Sequence, residues 1–193
     1  PVKPVIDGEP SYEGIPQGLH DTSQPFWTDA EIRRYAYWSV FAGCFGFTYG
    51  NSAVMQFYRS PDNPAYGARE YWDTAIDAPG SSQMIYLKNL ILSKPFTERI
   101  PAQHMLEGGQ GERYDYIAIT RGSDYLFAYT WNGSTIPVDL EKLDWQVFRA
   151  SWYDPRNGKT IEIGLFEKDG TGTFDPPGGK TSGNDWVLIL EKS

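Results

Sequence analysis

The chain has 193 residues, with 25 Asp and Glu against 17 Lys and Arg and a formal net charge of -8. An acidic balance without a Lys/Arg run excludes an obvious nucleic-acid surface, and no apolar run approaches the roughly 20 residues of a membrane helix. The single Cys44 rules out an intrachain disulfide and a cysteine-based zinc site, and its neighbours Gly43 and Phe45 suggest a buried small hydrophobe.

In chain order, the start at Pro1, without Met or signal peptide, reads as a processed or trimmed chain. The first predicted element is the short apolar strand Val5–Gly8. It is followed at once by Glu9 and, four residues later, by Glu13. A buried strand with a carboxylate at its C-terminal tip is how α/β barrels build active sites. A retaining glycosidase needs two carboxyl groups roughly 5–5.5 Å apart. Four residues of extended chain span about 13 Å, so Glu9 and Glu13 form such a pair only if Pro10-Ser11 turns tightly. Glu9 directly follows the strand and its glycine and is the preferred nucleophile. Glu13 is the alternative, or a group that orients Tyr12 or His20.

Thr28-Asp29-Ala30-Glu31 is a capping box. The helix it opens carries Ile32, Tyr35, Ala36, Ser39 and Val40 along one face, widened by Trp38 and Phe41, and ends near Gly43. Gly46–Gly50 is a short strand closed by glycines. Residues 51–80 form a long connection with a Pro79-Gly80 turn, and connections of this length are usually functional. A second helix is predicted over Ser81–Ser93, with Met84, Leu87, Leu90 and Ile91 inward, stopped by Pro95. Residues 1–97 are thus two βα units.

From residue 98 the period changes to two. Strands are predicted at Tyr114–Thr120, Tyr125–Trp131, Gln146–Tyr153, Thr160–Phe166 and Trp186–Leu190. Asn132-Gly133 reads as a hairpin turn, and Asp154–Gly158 as a second turn. Residues 98–193 therefore read as an antiparallel β-sandwich, with Trp131, Trp145 and Trp152 in its core rather than on a binding face. The Asn132-Gly133-Ser134 sequon is better explained as that turn. His104, at the domain junction, reads as structural.

The blocks Gly8–Pro16, Ala42–Asn51 and Asp77–Met84 resemble the apiosidase-like glycoside hydrolases, and Gly111–Ala118 and Trp152–Gly158 resemble that family's C-terminal domain, which carries a collagen-binding label. The resemblance covers nearly the whole chain in the family's order. It implies a fold of class α/β plus all-β: the last two βα units of a (β/α)8 TIM barrel, then an antiparallel β-sandwich. It also implies a retaining mechanism, with Val5–Gly8 as the seventh strand carrying the nucleophile and Phe47–Gly50 as the eighth. The fourth strand, which carries the acid/base in such barrels, has no counterpart here, so the chain is expected to be the C-terminal part of a longer enzyme and inactive alone.

His20, Tyr49, Asn51 and Trp72 are candidate substrate-binding residues: His20 for a sugar hydroxyl or the nucleophile, Tyr49 and Asn51 at the tip of the eighth strand, and Trp72 as a stacking platform in the long loop. The 7 Trp, 13 Tyr and 10 Phe suit both an aromatic core and sugar stacking. No cofactor or metal motif is present. The expected partners are a carbohydrate substrate and the remainder of the barrel. The expected location is secreted or periplasmic, and the expected substrate is plant polysaccharide, with apiose-containing pectin side chains suggested by the family name. The alternatives are a non-catalytic glycan- or collagen-binding module and a sandwich that only buttresses the barrel.

Overall fold

A computed structural model describes residues 3–193; Pro1 lies outside them. The N-terminal half contains β1 (Ile6–Asp7), β2 (Pro16–Gly18), β3 (Asp21–Phe26), α1 (Asp29–Phe41), β4 (Gly46–Phe47), α2 (Ser52–Met55), α3 (Trp72–Ala75) and α4 (Pro79–Leu92). The C-terminal half contains β5 (Ile100–Pro101), β6 (Ile117–Arg121), β7 (Tyr125–Thr130), β8 (Ile136–Asp139), β9 (Val147–Tyr153), β10 (Thr160–Glu167), β11 (Thr171–Phe174) and β12 (Trp186–Lys192).

The two apolar N-terminal strands pair in parallel, Ile6 with Gly46 and Asp7 with Phe47. Backbone bonds extend the ladder at both ends, Phe45 N–H to Val5 O at 2.9 Å and Thr48 N–H to Asp7 O at 2.9 Å. Helix α1 opens where the capping box predicts. Glu31 reaches back to accept from the Thr28 N–H at 2.9 Å and from its hydroxyl at 2.6 Å. Helix α4 begins two residues earlier than expected. Pro79 occupies its first turn, where a missing N–H costs nothing, so Pro79-Gly80 is a helix start and not a free turn.

The C-terminal strands form one antiparallel six-stranded sheet, in the order β10-β9-β12-β7-β6-β5, plus a two-stranded β11-β8 sheet. Alternation along the central strands explains both cores. Leu126, Ala128, Leu188, Leu190, Phe148 and Trp152 point to the β8–β11 side. Tyr125, Phe127, Tyr129, Val187, Ile189 and Tyr153 point to the side covered by α1 and α4, where Ala36, Tyr37, Phe41, Leu87 and Leu90 meet them. Trp131, Trp145 and Trp152 are all buried.

Asn132-Gly133 does not join paired strands. Strand β8 pairs with β11, not with β7, and the turn carries the chain from one sheet to the other. The Asn132 amide donates to Asp115 at 2.7 Å while its carbonyl accepts from Ser134 N–H at 3.1 Å. Asn132 is buried and bonded through both its amide nitrogen and its oxygen, which leaves it poorly placed to accept a glycan. Cys44 is half-buried rather than buried, because its segment turns out of α1 and presents its carbonyl to Arg99 at 3.0 Å.

Two buried arginines on α1 bind the halves together. Arg33 forms a bidentate pair with Asp185, Nε to Oδ2 at 2.8 Å and Nη2 to Oδ1 at 2.9 Å; the Tyr129 hydroxyl also donates to Asp185 at 3.2 Å. Burial pushes the Asp185 carboxyl above the usual range against the pull of Arg33. The Arg34 guanidinium lies 4.4 Å from the Trp131 ring centre and 4.8 Å from that of Tyr114, with Tyr35 and Trp38 on its own helix completing an aromatic surround. Cation–π attraction is strongest where water is excluded.

Candidate active site

After β1 the chain bulges outward through Gly8–Tyr12 and returns at Glu13, which pairs in parallel with Asn51 beyond the end of β4. The Glu13 N–H donates to Gly50 O at 2.9 Å and the Ser52 N–H to Glu13 O at 2.8 Å. Glu9 and Glu13 are thus separated in kind as well as in sequence: Glu9 rides the bulge and is exposed, whereas Glu13 is 8% exposed.

The Glu13 carboxylate is committed to the protein. It accepts from the Tyr49 hydroxyl at 2.6 Å and from the Gly80 N–H at 3.1 Å. Ala78, at the cap of α4, has no side chain able to satisfy the helix's first N–H groups. Glu13 fills that role from a distance, and its charge lies at the positive end of the helix. Gly80 is required for the approach: a Cβ there would sit 2.4 Å from Glu13 Oε2 and 3.1 Å from the Tyr49 ring. Burial raises the Glu13 carboxyl above the ordinary range, although the bonds from Tyr49 and Gly80 pull it down. The Tyr49 hydroxyl is pushed well up, by burial first and by the Glu13 carboxylate second.

Glu9 lines a cleft of about 370 Å³ with Tyr12, Trp27, Tyr66 and Met55. His20 stands at its margin, exposed, and stacks on Tyr66 with ring centres 4.9 Å apart and planes 23° apart. A second hollow of about 220 Å³ shares Trp27 and is lined by Glu13, Asn51, Arg69 and Glu70. Exposed carboxylate, flat rings and a histidine therefore converge at the C-terminal tip of the β1–β4 pair. Rings beside hydrogen-bonding groups suit a pyranose or furanose ring, whose C–H faces stack while its hydroxyls bond.

The other candidate residues are placed differently. The Tyr49 hydroxyl is engaged with Glu13. Asn51 is 8% exposed, and its Oδ1 caps α2, accepting from Ala53 N–H at 2.9 Å and Val54 N–H at 3.3 Å. Trp72 is half-buried, packs edge-on against Phe57 at 5.8 Å and lines neither hollow. Tyr12, Trp27 and Tyr66 line the Glu9 cleft; the sequence names Tyr12 only as a group Glu13 could orient, and Trp27 and Tyr66 not at all. Trp27 precedes the capping Thr28 and reads locally as a helix flank. Tyr66 sits in the left-handed region, φ 53°, inside a polar loop without periodicity. Among the described residues, no cluster of three or more His, Cys, Asp or Glu is placed to hold a metal ion, and no helix is long and apolar enough to cross a membrane.

Comparison with known proteins follows the same division. Residues 1–98 match the family profile "Apiosidase-like, catalytic domain", and residues 100–191 match "Putative collagen-binding domain of a collagenase". Two solved structures resemble the whole chain: one described as a glycoside hydrolase, 50% identical with a TM-score of 0.96, and a glycoside hydrolase family 5 protein from Bacteroides vulgatus, 47% identical with a TM-score of 0.95. The chain spans 43% and 42% of those two proteins. No curated protein matches.

Proposed function

The chain belongs to the apiosidase-like glycoside hydrolase family, and from that premise we propose that it supplies the nucleophile-bearing part of a retaining glycosidase acting on plant polysaccharide. In this proposal β1 and β4 are the seventh and eighth strands of a (β/α)8 barrel within residues 1–97, and residues 98–193 are its β-sandwich. The exposed apolar side chains Val5, Ile6 and Phe45 along the pair are what a strand pair lacking its barrel neighbours leaves in water, and unpaired strand edges invite such partners. The rest of the barrel supplies the acid/base.

The observation that carries the proposal is the contrast between the two glutamates. A nucleophile must reach the anomeric carbon in its ionised form. Glu9 is exposed in an aromatic cleft at the strand tip; Glu13 has its oxygens occupied by Tyr49 and Gly80, and burial favours its neutral form. Glu9 is therefore the nucleophile, and Glu13 holds the bulge that aims it. His20 and the rings of Tyr12, Trp27 and Tyr66 receive the sugar. Tyr49 acts through Glu13, Asn51 through the α2 cap, and Trp72 lies outside the cleft. Apiose-containing pectin side chains are the first substrates to assay, and a secreted or periplasmic location follows from an extracellular polymer.

The test is turnover of released sugar by a protein containing the complete barrel. Glu9→Gln abolishes turnover and leaves the thermal midpoint unchanged, and in Glu9→Ala, whose smaller side chain leaves room for the anion, azide restores release of an activated leaving group. Full activity in Glu9→Gln with loss in Glu13→Gln reverses the assignment. The C-terminal sheet also has a buttressing role, supported by the cluster it shares with α1 and α4: cutting it away lowers stability without changing which linkage is cleaved.

A further inference from the structure

A second groove of about 360 Å³ lies on the far side of α4, between that helix and the outer strands of the six-stranded sheet. Its floor is apolar, formed by Leu90 and Ile189, both nearly buried. The sheet register places Ser151 opposite Ile189 and Tyr153 opposite Thr160, so Ser151 and Thr160 face α4 from adjacent strands. Gly158, φ 72°, fits beneath Tyr86, because a Cβ there would sit 2.6 Å from its ring. This fixes the ring at the groove's rim.

The polar groups of the groove divide into used and unused. Tyr153 donates to Tyr86 O at 2.9 Å, Ser93 to Leu90 O at 2.7 Å and Asn157 to Asp154 at 2.8 Å. Lys94 and Glu191 neutralise each other at one end. The side chains of Asn89, Ser151 and Thr160 make no hydrogen bond to any described residue. Ser151 is 6% exposed as a residue, and its hydroxyl opens onto the groove, where water or a ligand can bond it. What remains is a neutral set of hydroxyl and amide groups, an apolar floor and an aromatic rim, with no unpaired charge.

We propose that this groove is a non-catalytic binding site for a neutral oligosaccharide, with Asn89, Ser151 and Thr160 bonding its hydroxyls and Tyr86 against a ring face. The neutral lining selects against polyanionic chains, since a uronate carboxylate finds no free cation there. The ligand class, though not the groove, rests on the glycoside-hydrolase proposal. The groove and the Glu9 cleft lie on different elements, so one glycan can be held by the sheet while another segment is cleaved.

The test is amide NMR titration of the full chain with cellohexaose, xylohexaose and mannohexaose, with hexagalacturonate as the acidic comparator. At least one neutral sugar shifts the amides of Asn89, Ser151 and Thr160. The double variant Asn89→Ala/Thr160→Ala weakens that binding about tenfold or more, a readily measured loss, and Glu9→Gln leaves it unchanged. Shifts confined to Tyr12, Trp27 and Tyr66 overturn the groove while leaving the catalytic proposal standing. Response to hexagalacturonate alone, response only to a triple-helical Gly-Pro-Hyp peptide, or no response at millimolar sugar overturns it as well. Loss of turnover in Glu9→Gln is scored separately and speaks only to the catalytic proposal.

Discussion

Gly80→Ala offers a sharp test because two rules give opposite signs for it. In a helix interior, Gly→Ala stabilises by up to about 1 kcal/mol. Here the new methyl would sit 2.4 Å from Glu13 Oε2 and 3.1 Å from the Tyr49 ring, so the carboxylate must leave. Its departure removes the bonds from the Tyr49 hydroxyl and the Gly80 N–H. Hydrogen bonds to charged groups contribute about 1.5–3 kcal/mol each, and overpacking adds about 1–3 kcal/mol. Even with partial relaxation the loss exceeds the propensity gain, and a net destabilisation of about 2–4 kcal/mol is expected. Urea unfolding with an unchanged slope measures it. The double variant Glu13→Ala/Gly80→Ala recovers part of the loss relative to the sum of the singles, since the clash is gone. A Gly80→Ala protein more stable than the parent, or strictly additive singles, would refute the clamp.

Other consequences are checked by comparable measurements. Asp185→Ala leaves buried Arg33 with only Asp29 and Gln83 as partners and costs about 3–5 kcal/mol, whereas the double Arg33→Met/Asp185→Leu costs less because no buried charge is stranded and Asp29 is part-exposed; equal losses would contradict the pairing. For Glu13 the folded pKa lies above the unfolded one. Its contribution is therefore fully present below the unfolded value of about 4.3 and is lost as pH rises through the folded pKa. Parent and Glu13→Gln unfolding compared from acid to neutral pH should show the parent gaining relative to the variant as pH falls; the opposite slope would mean that folding lowers the Glu13 pKa instead of raising it.

Much of the scaffold is legible in the chain because local signals and tertiary structure agree there. The Thr28–Glu31 box starts α1, and Ile6–Asp7, within the expected Val5–Gly8, is a strand. The alternation in Tyr125–Trp131 and Trp186–Leu190 becomes the centre of the sheet. What is hidden depends on distant partners. No local signal marks Arg33 and Arg34 as buried: Arg33 meets Asp185, 152 residues along the chain, and the Trp131 and Tyr114 rings close over Arg34. Asn132-Gly133 has the chemistry of a two-residue hairpin, but the sheet it leaves and the sheet it enters are different. Strands β2 and β3 pair through Pro16–Gly18 and Asp21–Phe26, sequences too polar to show alternation. Strands β8 and β11 are four residues each, too short for a periodic signal.

Of the candidate site, the sequence shows the residue types and not their surroundings. A carboxylate at a strand tip was visible at Glu9, and so was a second one at Glu13. Their difference is set by the bulge through Gly8–Tyr12 and by the start of α4, neither of which leaves a local mark. The same holds for Tyr49, whose strand-end position suggests a sugar contact while its hydroxyl serves Glu13.

Covalent trapping tests the central claim most directly. A protein containing the complete barrel is incubated with a slow, activated 2-deoxy-2-fluoro glycoside of its substrate sugar, digested and sequenced by mass spectrometry. The account predicts one glycosyl ester, on Glu9. An ester on Glu13, or hydrolysis with inversion and no ester at all, would contradict it.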